Sequence, residues 1–200
     1  MHPFEALSID QVLKIVREKY VGPKIAFLTL GGGYSCLDFR KMTGSSKFYY
    51  GSIDLYDQNF VVGFITKYSK NRTFDLNQSI VSEETTMQLI ESMILFYDNR
   101  DLLYVVVNSA LTTDRYRKGE NKAFVAIYNN KSSEHQIYKI SLNKDSEKDH
   151  SLYKDYLDIH RSIEDRKVGQ SVLSLIMDDY KLAPELEQGE TIERCRSTGK

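Results

Sequence analysis

The apolar positions of this chain follow two periods that alternate along it. Over residues 8–20, Ile9, Val12, Leu13 and Val16 recur at three- and four-residue spacing, one face of a helix with Ser8 as its N-cap and Gly22-Pro23 as its stop. Residues 24–30 then form an apolar run that predicts a buried strand and delivers the chain into Gly31-Gly32-Gly33. A short helix is predicted over 34–42, closed by the turn Gly44-Ser45-Ser46, and 48–56 alternate as a strand that 61–68 extend or pair with. Val81-Ser82-Glu83-Glu84 is a helix start: an apolar residue, a serine cap, and two acids against the positive end of the helix dipole. Met87, Ile90, Ile94 and Tyr97 form the apolar face of that helix.

Leu102 to Val107 are apolar at every position, the mark of a strand buried on both faces. Residues 124–128 and 136–142 read as a hairpin about the polar turn 129–134, and 141–155 as a charged link. A last helix is predicted over 162–180, with Ile163, Val168, Val172, Leu175 and Ile176 inward. Residues 185–200 show no periodicity and read as the main part of a flexible tail. The order is helix, strand, glycine turn, helix, one or two strands, helix, strand, hairpin, helix. It predicts an α/β fold with a mixed sheet and helices on its faces, in one domain over 1–180 followed by a tail over 181–200.

Charge and composition narrow the function. Twenty-seven basic against 28 acidic residues leave a net charge of −1, which argues against a general electrostatic grip on nucleic acid or an acidic membrane. Cys36 and Cys195 lie too far apart to form a motif, so a reducing compartment is expected: the cytoplasm, with the nucleus also open. The N-terminus lacks the basic, apolar, small-residue order of a secretory signal, and the apolar runs are too short to span a bilayer. His2, His135, His150 and His160 have no metal-ligand spacing, so neither a metal nor a cofactor is expected.

Several segments, in this order, resemble the C-terminal domain of the CinA family, the nicotinamide-mononucleotide deamidase fold. Ala26-Phe-Leu-Thr-Leu-Gly-Gly-Gly33 stands where that family has T-A-E-S-C-T-G-G. Gly44-Ser-Ser-Lys-Phe-Tyr-Tyr-Gly51 resembles its G-S-S-x-x-F/Y-x-G turn, Tyr56 takes the place of a strand-ending tyrosine, and Val81-Ser82-Glu83 matches its V-S-E helix start. Tyr104-Val-Val-Val107 and Ala123-Phe-Val-Ala-Ile127 correspond to two further strands, and Arg161 and Arg166 fall near the arginines before the last helix. The resemblance covers residues 8–180 and implies a three-layer α/β/α fold with a mixed central sheet.

It also implies where chemistry would lie. The family's serine nucleophile aligns with Thr29 and its preceding glutamate with Leu28. Thr29 is either a β-branched strand residue or a nucleophile that needs a positioned base, and no lysine or histidine is near it in sequence. Tyr56 either orients that nucleophile or packs a strand end. Gly31, Gly32 and Gly33 form a tight turn or cradle a ligand, with Ser45, Ser46 and Arg161 as further ligand-binding candidates. Arg115, Arg117 and Lys118, with Arg161 and Arg166, either gather around an anion or stay solvated. Where the family has the glycine-rich T-G-I-A-G-P loop, residues 108–119 carry side chains at nearly every position, which would reshape or fill the pocket.

The resulting expectation is a catalytically degenerate CinA-like domain, a pseudoenzyme serving as a protein-binding or scaffolding module. Its expected partner is a second copy or another protein, with a nucleotide-like ligand also open. The alternative is an amidohydrolase acting on nicotinamide mononucleotide or a related amide, with Thr29 as nucleophile. The aromatic segment from Phe48 to Phe64 suits an interface.

Overall fold

The computed structural model describes residues 9–98, 100–144, 147–152, 154–179 and 191–198. Two apolar runs build the centre of the sheet. In β1 (Ile25–Leu30) every residue is buried, and in β3 (Leu103–Ala110) all but the last are. Such runs suit strands covered on both faces. β1 pairs in parallel with β3 on one side and with β2 (Tyr49–Leu55) on the other. Antiparallel pairing then adds β4 (Lys122–Asn129), β5 (Glu134–Ser141) and β6 (Thr191–Thr198), giving the order β2-β1-β3-β4-β5-β6. The predicted hairpin is β4 and β5.

Alternation along the strands divides the core in two. Ile25, Phe27, Val105 and Val107 pack on one face against α1 (Ile9–Lys19), the 3-10 helix Tyr34–Lys41 and α5 (Leu157–Asp179). Ala26, Leu28, Tyr104 and Val106 pack on the other against α2 (Gln58–Tyr68) and α3 (Glu83–Phe96). The result is a three-layer α/β/α fold around a mixed sheet. α3 starts as predicted: the Ser82 hydroxyl accepts the Thr85 N–H at 3.1 Å. The expected Ser8 cap lies outside the described residues.

Four expectations change. Residues 61–68 are helical, because the Asp57 carboxylate caps the Asn59 and Phe60 N–H groups at 2.8 and 3.4 Å and starts α2. The apolar residues Val61, Phe64 and Ile65 then share its inward face. The charged link contains a short helix, α4 (Glu147–Leu152). α5 begins at Leu157, and Ile163 lies on its exposed side. Part of the expected tail, Thr191–Thr198, is β6, held by the ladder to β5 rather than by any apolar period of its own; residues 180–190 and 199–200 lie outside the described residues.

The chain leaves β1 over one face to reach β2, and leaves β2 over the opposite face to reach β3. Connections that diverge in this way open a crevice beyond the carboxyl ends of the parallel strands, where α/β sheets hold their ligands.

Candidate functional site

A cleft of about 590 Å³ lies at that switch point. It is lined by Tyr56 just beyond β2, Thr112, Thr113 and Asp114 just beyond β3, and Lys154, Leu157, Asp158 and Arg161 at the start of α5. Two cations face two carboxylates, so the cleft has no strong electrostatic sign. Tyr56 is 72% exposed at its mouth, while Leu157 is buried in its wall.

α5 shapes this end of the molecule through one stripe of side chains. Positions 157, 161, 164, 165 and 168 recur at three- and four-residue spacing and so share a face. Near the cleft the stripe is polar. Arg161 donates to the carbonyls of Thr112 and Gly31, both at 2.8 Å. Glu164, only 7% exposed, accepts the Thr112 N–H and the Asn121 Nδ2, both at 2.6 Å. Asp165 accepts the N–H groups of Tyr34 at 2.9 Å and Ser35 at 3.1 Å. The loops after β1 and β3 thus hang on a single helix turn. Further along, Val168, Val172 and Ile176 continue the stripe into the core.

Arg117 completes the polar layer by donating to the Leu111 carbonyl at 2.6 Å and to Asn121 Oδ1 at 3.0 Å. Burial lowers its pKa, and Glu164 opposes that shift. A buried carboxylate with hydrogen-bonded partners and two arginines nearby is compensated, so these charges fasten the β3–β4 loop.

The glycine turn is closed by the protein itself. Gly31 has φ 76°, and a Cβ there would sit 2.2 Å from the Ser109 carbonyl oxygen. The room that glycine leaves is filled by the end of β3. None of Gly31, Gly32 and Gly33 lines the cleft.

Thr29 is fully buried in β1 beside Asp54 of β2, its register partner. Its hydroxyl donates to Asp54 Oδ1 at 3.5 Å, a long contact. The Tyr34 phenol also lies near Asp54. Burial, then Asp54, then Tyr56, push the Tyr34 hydroxyl up to about 12, with Arg161 opposing them.

No protein-family model matches the sequence. A comparison with curated proteins finds no match either. Solved structures do match. The competence or damage-inducible protein from Enterobacter asburiae superposes with a TM-score of 0.63 at 11% identity, over 89% of this chain and 100% of that one. The competence/damage inducible protein CihA from Agrobacterium tumefaciens gives 0.64 at 12% identity, over 89% and 98%. A competence-damaged protein (CinA) superfamily protein from Enterobacter cloacae gives 0.63 at 10% identity, over 92% and 97%.

The fold is that of the CinA superfamily.

On the CinA fold, the segments that carried the resemblance take definite places. Thr29 and the glycine turn end β1, Tyr56 follows β2, and residues 111–121 join β3 to β4. Arg161 and Tyr56 line one cleft, and Arg161 also reaches Gly31. Ser45 and Ser46 do not join them. The 3-10 turn Ser45–Lys47 precedes β2 beside Ile25, whose N–H donates to the Phe48 carbonyl, at the far end of the parallel strands. Seven strand residues, about 20 Å, separate it from the cleft end. Of the candidate cations, Arg161 and Arg117 point into main-chain carbonyls, Arg115 and Arg117 line a second, much smaller pocket with Lys144 and His150, and Arg166 is exposed.

Sequence reading passed over Glu164 and Asp165 entirely. The one available signal was their spacing from Arg161, which sets three charged residues on the same stripe of α5 as Leu157, Val168 and Val172.

Proposed function

We propose that this chain is a divergent CinA-fold protein working as a binding module without amide-hydrolase turnover. One observation carries the reading: the hydroxyl in the nucleophile's place, Thr29, is fully buried and lies outside the lining of the cleft. A nucleophile must reach its substrate carbonyl, and Thr29 would need β1 or the 3-10 helix over it to move first. Two supporting observations concern the loops. The glycine turn is packed against β3, and the Arg161 guanidinium is engaged by two carbonyls, so the cleft keeps its shape but lacks a presented nucleophile. Exposed Tyr56 on one side of the cleft, Tyr156 in the 3-10 turn just before α5, and Ile159 and Ile163 on α5 supply apolar surface that suits a polypeptide partner.

The test is direct. Nicotinamide mononucleotide incubated with the protein should release no ammonia above the uncatalysed rate, and Thr29→Ala should leave that result unchanged. Thr29-dependent release of ammonia would overturn the reading. That outcome belongs to the second reading, an amidohydrolase, favoured by Asp54: its carboxylate is the nearest candidate base for the Thr29 hydroxyl.

A further inference from the structure

The cleft at the switch point gathers charges that the fold has not paired. Lys154 and Asp158 stand on its α5 side, and Asp114 stands on the side of the β3–β4 loop. All three are exposed, and none makes an ion pair among the described residues. Asp158 lies three positions before Arg161 on α5, a spacing at which opposite charges meet on a helix. They do not meet, because Arg161 turns to the carbonyls of Thr112 and Gly31. One ammonium and two carboxylates are thus left to the cavity.

The rest of the lining suits an organic body between those charges. Leu157 gives an apolar wall, and the Tyr56 ring stands 72% exposed at the mouth, where an aromatic face attracts a cation as well as apolar matter. A volume of about 590 Å³ is the room of a small organic ligand rather than of a bare ion.

Charge then selects the class of ligand. A phosphate monoester would bring about two negative charges to a cavity with two unpaired carboxylates and one unpaired ammonium. A ligand that is only cationic would leave Lys154 unmatched, and one that is only anionic would leave both aspartates so. A molecule with an ammonium at one end and a carboxylate at the other matches both signs.

We propose that the cleft binds an amino acid or short peptide with both ends free. Lys154 holds the α-carboxylate, Asp114 and Asp158 hold the α-ammonium beside the Tyr56 ring, and an apolar side chain packs on Leu157. The proposal rests on the binding reading above and names its ligand.

Isothermal titration calorimetry with the dipeptide phenylalanyl-leucine should give a saturable heat, and free phenylalanine in a second titration tells a peptide ligand from an amino acid by which binds more tightly. Acetylating the amine of the dipeptide, or amidating its carboxylate, should each weaken binding about fivefold or more, since each block leaves a protein charge unmatched. Asp114→Asn with Asp158→Asn should remove the penalty for acetylation, and Lys154→Gln the penalty for amidation, because the interaction is then already lost. The three side chains are exposed, and an unchanged circular dichroism spectrum would verify the fold of each variant. No heat with either probe, blocked dipeptides that bind as well as the free one, or tighter binding of nicotinamide mononucleotide overturns the proposal. The heat is read without turnover, so its failure is distinct from Thr29-dependent ammonia release, the result that overturns the binding reading.

Discussion

Arg161 and Gly31 are 130 positions apart, yet the guanidinium donates to the glycine carbonyl at 2.8 Å. The same side chain holds the Thr112 carbonyl, so one arginine ties the ends of β1 and β3 to α5. A lysine ammonium lacks the planar fork that reaches two separated carbonyls. Arg161→Lys should lower stability by about 1–3 kcal/mol, and Arg161→Ala by at least as much. Urea midpoints at unchanged slope would check the magnitude. Hydrogen exchange should speed up in residues 111–121 before it does in β4.

Asp165 makes the companion contact from the next position along the stripe. Replacing its carboxylate with the amide of Asn leaves one good acceptor for two N–H groups, Tyr34 and Ser35. Asp165→Asn should cost about 1.5–3 kcal/mol and raise exchange at those two amides specifically. Equal exchange rates in variant and wild type would show that the cap contributes nothing.

Two helical glycines should respond in opposite ways to alanine. A Cβ on Gly169 would lie 2.1 Å from Ser35 Oγ and 2.8 Å from the Cys36 nitrogen, so Gly169→Ala must push α5 off the 3-10 helix. Gly63 on α2 has nothing within 4 Å, and there the change removes only backbone freedom. The expected shifts are a loss of about 1–3 kcal/mol at Gly169 and a gain of about 0.5–1 kcal/mol at Gly63. Thermal melts of the two variants side by side decide it.

Alkali should unfold the protein in a defined window. Tyr34 is pushed up to about 12, first by burial and then by Asp54. Tyr104 is also pushed up to about 12, by burial and then by the neighbouring tyrosines Tyr128, Tyr50 and Tyr97. In the unfolded chain both titrate near the ordinary value of 10. A raised folded value means that the fold favours the neutral phenol, so this contribution is whole below pH 10 and is lost as pH rises from 10 through 12. The melting temperature should fall across that interval and follow late phenolate absorbance. Tyr34→Phe should flatten the fall.

Much of the layer structure was legible because it rests on local physics. The apolar runs at β1 and β3, the Ser82 cap and the β4–β5 hairpin each follow from side-chain period or turn chemistry within a few residues. α2 was misread where two signals conflicted. Val61, Val62, Phe64 and Ile65 suit a strand or a helix, and the deciding Asp57 cap lies before them. β6 left no period to read, since its extended shape comes from the partner strand.

The candidate site was legible only in outline. Sequence singled out Thr29, Tyr56, Gly31 and Arg161, but it could not tell a presented hydroxyl from a buried one, or a free guanidinium from one held by two carbonyls. Nor could it separate Ser45 and Ser46 from the cleft, because motif order does not say at which end of a strand a turn falls. By itself the sequence determined the α/β layers, the helix starts and the central strands, since these depend on interactions between near neighbours. Only the tertiary structure decided that α5 gathers the loops through Arg161, Glu164 and Asp165, that Thr29 is enclosed, and that β2 stands at an edge. Each of those facts depends on contacts between residues far apart in the chain, which no local pattern encodes.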